Sequence, residues 1–271
     1  MKISLIVTTY NWPEALELTL RSALAQSLPP HEVIVADDGS KEPTRRVVES
    51  FAKKAPFPLL HSWQEDDGFR LAMSRNRAIA LATGEYVVVV DGDMVLQKDF
   101  LADHADHARP GLYLQGGRVL LGSSITRDLF QKRRDPETLS LFSPDLKNRK
   151  NALRSPLLCR LFSKTSRSMK GIKGCNFSLF REDILRVNGF DNAFVGWGRE
   201  DSEFVARLYN AGLKRKNLKF FAVAYHLFHP EHERDALPEN DRRLQRSVEE
   251  DLVRCEDGIE RFTTSAKEVS R

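Results

Sequence analysis

Short apolar runs alternate with helical patterns through the first hundred residues, and this rhythm restricts the fold more than any other feature of the chain. Ile3–Thr8 (ISLIVT), Glu32–Ala36 (EVIVA), Leu59–Trp63 and Tyr86–Val90 (YVVVV) predict strands. Between them, Pro13–Gln26 predicts a helix with Pro13 in its first turn and Leu16, Leu20, Ala23 and Leu24 on one face. Pro43–Lys53 and Arg70–Ala82 predict two more, the latter ended near Gly84. A run such as YVVVV needs cover on both faces. Strand–helix alternation of this kind implies an α/β fold with a mostly parallel, doubly wound sheet and ligands at the C-terminal ends of its strands.

Past Asp99 the rhythm breaks. A helical stretch leads to short runs at Tyr113–Gln115 and Arg118–Leu121, and then to a basic segment. Asn176–Phe180 predicts a strand, Glu182–Asn188 and Asp201–Asn210 predict helices, and Pro238–Glu260 a terminal amphipathic helix. With no internal repeat, the expectation is one large domain with four regions. These are a first half (1–105), a connecting region with the basic segment (106–174), a second half (175–235) and a C-terminal helical extension (236–271).

Charge is unevenly spread. Arg127–Lys173 holds thirteen Lys/Arg against four Asp/Glu, a local +9 in a chain of net +4, so the remainder is about −5. A basic block in an otherwise acidic chain points to an anionic partner. Leu153–Phe162 (LRSPLLCRLF) interleaves apolar residues with arginines inside it, which suits an anionic membrane surface or lipid-linked acceptor; a solvated insertion over the site is the plainer alternative. No apolar run reaches the roughly 20 residues that span a bilayer, and Ile3–Thr8 is too short and lacks the basic leader of a signal peptide. Cys159, Cys175 and Cys255 form no CxxC pair. The expected location is therefore cytoplasmic, peripheral on the inner membrane face at most, with neither a disulfide framework nor a zinc site.

Three clusters carry candidate chemistry. Asp91-Gly92-Asp93 directly follows YVVVV, so two carboxylates stand at the mouth of a buried strand with a glycine that lets the backbone turn. Hard oxygen ligands there suit Mn²⁺ or Mg²⁺ bridging a diphosphate, although carboxylate pairs in turns are common without a metal. Gly196-Trp197-Gly198-Arg199-Glu200-Asp201 reads as a mobile glycine-flanked loop presenting a stacking ring. Its two carboxylates open a helix, where one can serve as a general base or merely as a cap. His226 and His229 stand three apart after the apolar run Phe220–Ala224 and can meet one metal if the segment turns. Loops Thr8–Asn11 and Asp37–Ser40 sit where such a sheet offers a nucleotide site, and neither GxGxxG nor a P-loop is present.

In this order the residues resemble glycosyltransferase family 2, with a GT-A fold. The resemblance rests on IVTTYNWPEALELTLRSALAQS, VIVADDGS and GFRLAMSRNRAIALATGEYVVVVDGDMVLQKDF. Further on, KGCNFSLFREDILRVNGFDNAFVGWGREDSEFVARLYNAGL is similar to the acceptor region of β-1,4-galactosyltransferases and bacterial chondroitin-type polymerases. It covers about residues 1–105 and 170–232, and implies that 1–105 is the nucleotide-sugar-binding half and 175–235 the acceptor-binding and catalytic half. It implies that Thr8 and Tyr10 line a uracil site, Asp38 recognises the base, Arg75 lies near the diphosphate and Asp91 contacts the ribose or donor sugar. It implies that Asp93 binds the metal with His226 and His229, that Trp197 and Glu200 hold the acceptor, and that Asp201 is the base. The chain departs from the galactosyltransferase motif at Arg199 and Ser202, which leaves the base in place.

The activity implied is inverting transfer of a hexose or N-acetylhexosamine from a nucleotide sugar, UDP first, to a glycan or lipid-linked glycan. Bacterial lipopolysaccharide or surface polysaccharide assembly is the implied setting. Two rivals are a nucleic-acid-binding protein using 127–173 and a nucleotide-sugar hydrolase or nucleotidyltransferase. No helix-turn-helix, RRM-like aromatic pattern or zinc motif accompanies the charge, so no nucleic-acid partner is expected. The tryptophan loop argues against a hydrolase.

Overall fold

A computed structural model describes residues 1–230 and 234–263. The predicted rhythm is present: β1 (Ile3–Thr9), α1 (Pro13–Leu24), β2 (Glu32–Asp37), α2 (Glu42–Ala52), β3 (Leu59–Trp63), α3 (Leu71–Leu81) and β4 (Tyr86–Asp91). There follow β5 (Met94–Leu96), α4 (Phe100–His107), β6 (Leu112–Gln115), β7 (Val119–Leu121), α5 (Ser123–Phe130), β8 (Leu146–Lys147), α6 (Pro156–Phe162) and β9 (Lys164–Ser166). The chain continues through β10 (Asn176–Phe180), α7 (Arg181–Arg186), α8 (Glu200–Asn210), β11 (Lys214–Asn217), β12 (Ala224–His226) and α9 (Leu237–Glu249).

The main sheet runs β3-β2-β1-β4-β10-β6-β11-β9. Its first four strands are mutually parallel, and β10 enters antiparallel between β4 and β6. The chain therefore has a mixed, mostly parallel GT-A sheet flanked by helices. Alternation along the central strands supplies both faces. Leu5, Val7, Val33, Val35, Val88 and Val90 pack with α1, α2 and α4, while Ile6, Ile34, Val87 and Val89 pack with α3, α7 and α8. A second sheet, β5-β12-β7-β8, which sequence periodicity did not separate from the first, covers its own apolar cluster.

Four local expectations are corrected. Gly84 does not end α3, whose C-cap is Ala82 in extended conformation. A methyl group at Gly84 would lie 2.6 Å from Ser4 Oγ, so the glycine serves a close approach to β1. The basic segment is built into the fold: β9 is an edge strand of the main sheet, and Arg154 is paired with Asp103 and Asp99. The terminal helix stops at Glu249, where Asp251 takes a left-handed φ of 50°. Beyond it Cys255 and Ile259 turn back into the core, held by Asn188 Nδ2 donating to the Cys255 carbonyl (2.9 Å) and by Ile259 N–H donating to the Asn188 carbonyl (2.9 Å). Burying these apolar side chains outweighs continuing an exposed helix. The fourth correction concerns the tryptophan loop and is taken up below.

Candidate active site

β1, β2 and β4 all end at one edge of the sheet, and the DGD turn lies there. Gly92 is required by space: a methyl group would sit 2.3 Å from the Thr8 carbonyl oxygen. The turn is fixed from α1 by Thr19 Oγ1, which donates to the Gly92 carbonyl (2.8 Å). Asp91 Oδ1 accepts from Thr8 Oγ1 (3.0 Å) and from an Arg75 terminal nitrogen (3.2 Å).

Arg75 is the hub of this edge. Only 1% exposed, it sends its other terminal nitrogen to Glu200 Oε1 (3.2 Å) and also donates to the Gly174 carbonyl (3.2 Å). One guanidinium thus joins the two acidic motifs. Glu200 is mostly buried, and burial together with the neighbouring Asp201 pushes its carboxyl up to about 7. The N-cap of α8 is Arg199, at a left-handed φ of 75°, so Asp201 is not the cap. Asp201 lies in the first turn and accepts from Ser202 Oγ (3.1 Å).

The histidines arrive by strand pairing. β12 lies antiparallel to β5 with His226 opposite Met94, and Leu227 N–H donates to the Asp93 carbonyl (2.9 Å). His226 Nε2 lies 3.5 Å and His229 Nε2 3.4 Å from Asp93 Oδ2. Asp93 Oδ1 is buried with no hydrogen-bond partner among the described residues, and burial plus the nearby Asp91 push its carboxyl up to about 8. His226 is pushed down to about 4, first by burial and then by the Arg118 charge, which keeps its imidazole neutral. A buried carboxylate with one oxygen beside two imidazoles and the other without a donor fits a divalent cation.

Beyond the ends of β1 and β2, Tyr10 is half exposed and donates to Asp66 Oδ2 (3.0 Å). Asp38 is buried; it accepts from Gln64 Nε2 (2.6 Å) and from Arg70 N–H (2.8 Å), so it also anchors the start of α3. Burial, with Asp66 and Asp37 adding, pushes its carboxyl up to about 6. Trp197 is 38% exposed and lies under the Arg234 guanidinium, 5.4 Å from its ring centroid. Its loop is not free. Gly196 N–H donates to the Phe69 carbonyl (2.8 Å), and Asn240 Nδ2 in α9 donates to the Gly198 carbonyl (2.9 Å). A methyl group at Gly196 would lie 2.4 Å from Ala236 Cβ, so the glycine admits α9 rather than granting motion.

Sequence reasoning missed Arg118. It donates to Cys175 Sγ at 3.6 Å, and its charge bears on both Asp93 and His226. A lone arginine after Gly116-Gly117 carries no motif; only the pairing of β7 with β12 brings it to this edge.

Residues 4–170 match the model of glycosyl transferase family 2, and residues 159–232 match that described as the N-terminal domain of galactosyltransferase. The first match continues through the basic segment. The chain is 30% identical over 227 residues to a validoxylamine A glucosyltransferase of Streptomyces hygroscopicus subsp. limoneus, across 78% of this chain and 48% of that protein. It is 28% identical over 274 residues to a chondroitin synthase of Pasteurella multocida, across 93% of this chain and 27% of that one. The chain thus spans about half or less of these relatives' lengths. Among solved structures, S. aureus TarS 1–349 in complex with UDP-GlcNAc superposes with a TM-score of 0.63 at 21% identity, covering 97% of this chain and 69% of that one, and so shares the fold. The chain belongs to glycosyltransferase family 2.

Proposed function

We propose that the chain is an inverting, divalent-metal-dependent glycosyltransferase that moves a hexose or N-acetylhexosamine from a UDP-sugar to a glycan or lipid-linked glycan acceptor. The observation that carries this is Arg75, which ties the DGD turn and the Glu200–Asp201 turn to one edge of the sheet. A leaving-group site and a candidate base are thereby neighbours. A UDP donor is favoured by the neighbour TarS, crystallised with UDP and with UDP-GlcNAc. The bacterial relatives include polysaccharide synthases, which favours surface polysaccharide or lipopolysaccharide assembly as the setting.

In this reading Asp201 takes the proton of an acceptor hydroxyl as its oxygen forms the new bond to the anomeric carbon. The bond from that carbon to the diphosphate oxygen breaks on the opposite face, so configuration inverts. Arg75 holds Asp91 and Glu200 in place, and Trp197 offers a face for a sugar ring. Asp93, His226 and His229 would hold the cation, and two imidazoles favour Mn²⁺ over Mg²⁺. When bound, the cation neutralises charge on the departing diphosphate.

Membrane contact is part of the proposal. Among the described residues no helix is long and apolar enough to cross a bilayer. α6 instead exposes Leu157 (66%), Leu161 (63%) and Phe162 (53%) beside Arg160 and Lys164, a pattern suited to anionic headgroups.

The test of the activity is thermal stabilisation by UDP, dTDP and GDP with and without Mn²⁺. Ligand at 100 times Kd should stabilise the native state by about 2.7 kcal/mol. A shift with UDP that requires Mn²⁺ supports the reading, and no shift with any nucleotide overturns it.

A further inference from the structure

Three arginines are deeply buried among the described residues: Arg75, Arg207 and Arg215. Arg75 has Asp91 and Glu200, and Arg207 has Glu203. Arg215, on β11 and 2% exposed, has no carboxylate within 4.0 Å among the described residues. Among the described residues it donates to the Lys170 carbonyl (2.8 Å) and to Gln115 Oε1 (3.4 Å), and its Nε finds no partner there. A buried guanidinium without a counter-ion is costly, and native proteins rarely retain one without use.

Arg215 lines a cleft of about 280 Å³ together with Gln115, Asn151, Lys170, Lys173 and Lys219. Four cations face this space, and no acidic residue lines it. None of the four is in an ion pair among the described residues. Backbone at Gly116, Gly117 and Gly171 completes the wall. Lys173 is half-buried; burial, and then repulsion from Arg118, Lys219 and Arg215, pulls its ammonium below the usual lysine range. The cluster repels itself and is short of negative charge.

Its position decides what it serves. Gln115 ends β6, where it pairs with Phe177 of β10 and Asn217 of β11. β10 in turn pairs with β4, which ends at Asp91. The cleft is thus two strand spacings, roughly 10 Å, from the DGD turn. It lies on the side opposite β1 and β2, where Thr8, Tyr10 and Asp38 sit.

From this geometry we infer that the cleft is an oxyanion subsite that binds a phosphate or carboxylate carried by the acceptor, with Arg215, Lys173 and Lys219 as its cations. The assignment to the acceptor rests on the transferase reading above; the binding of an oxyanion does not. Charge-assisted bonds from several cations select an anionic acceptor over a neutral one.

The experiment measures binding of inorganic phosphate and, separately, of glucuronate by calorimetry, with saturating UDP and Mn²⁺ present to occupy the donor site. The proteins compared are wild type, Lys173→Gln/Lys219→Gln, and a control, Lys53→Gln/Lys54→Gln, at the two exposed positions that follow α2. Among the described residues neither test lysine makes a side-chain hydrogen bond, and removing both relieves repulsion in the cluster, so the variant should match or exceed the wild-type melting temperature. We expect at least one of the two anions to bind wild type and control alike, and about tenfold more weakly to the cleft variant. The UDP–Mn²⁺ response should be unchanged. Stronger binding of phosphate would name a phosphorylated acceptor, and stronger binding of glucuronate a uronic-acid one. Failure of both anions to bind wild type, or equal binding to all three proteins, overturns the subsite. Absence of a UDP–Mn²⁺ response in wild type would overturn the transferase reading instead, while the anion binding would still be measured.

Discussion

Arg75 and Glu200 are 125 residues apart in sequence and meet at 3.2 Å in the interior. The same guanidinium holds Asp91 at 3.2 Å, so a residue of α3 clamps the mouth of β4 to the first turn of α8. Removing it would strand two acidic groups in a poorly solvated place. Arg75→Ala is expected to cost about 3–5 kcal/mol of stability, read by chemical denaturation. Arg75→Lys should recover part of the stability and little activity, because one ammonium cannot bridge both carboxylates with fork geometry.

Glu200 makes stability pH-dependent. Its carboxyl is raised from 4.5 to about 7, so the folded state binds a proton that the unfolded state has released. The contribution is full below 4.5 and is lost as pH rises through about 7. Glu200→Gln should flatten the stability profile across that window. A slope identical to that of wild type would show that another group dominates.

Asp201→Asn should reduce kcat by about 100- to 10,000-fold and leave UDP–Mn²⁺ stabilisation intact. Among the described residues its carboxylate accepts only from Ser202 Oγ, so melting temperature should change little. A variant that retains wild-type kcat would remove Asp201 from the chemistry.

Asp93 is expected to destabilise the metal-free protein, because its buried carboxyl has an oxygen with no donor. Asp93→Asn should therefore match or exceed wild-type stability in chelator and lose the response to Mn²⁺. In wild type, cation binding must displace the proton from a carboxyl raised to about 8, so the Mn²⁺ response should grow as pH rises toward that value. Titrations at several pH values, with proton release measured, check the sign.

The apolar crest of α6 should place the protein on anionic vesicles. Leu157→Glu/Leu161→Glu is expected to abolish co-sedimentation with phosphatidylglycerol vesicles and leave the fold unchanged, since both side chains are exposed. Wild-type binding should weaken with salt.

The sequence by itself determined the α/β rhythm, because strand and helix periods are local and YVVVV, short, rich in β-branched valine and set between Gly84 and Gly92, reads as a strand covered on both faces. It placed Asp91 and Asp93 at a strand end and Asp201 at a helix start for the same reason. Tertiary structure alone decided what these groups face. Antiparallel entry of β10, pairing of β12 with β5, and the turn at Asp251 depend on contacts between distant segments that no local pattern encodes. Those contacts set His226 and His229 beside Asp93, put Arg75 between two acidic motifs, and left Arg215 in a cleft without a counter-ion. Burial and charge pairing are properties of three-dimensional neighbours, and they appear only once the chain has closed on itself.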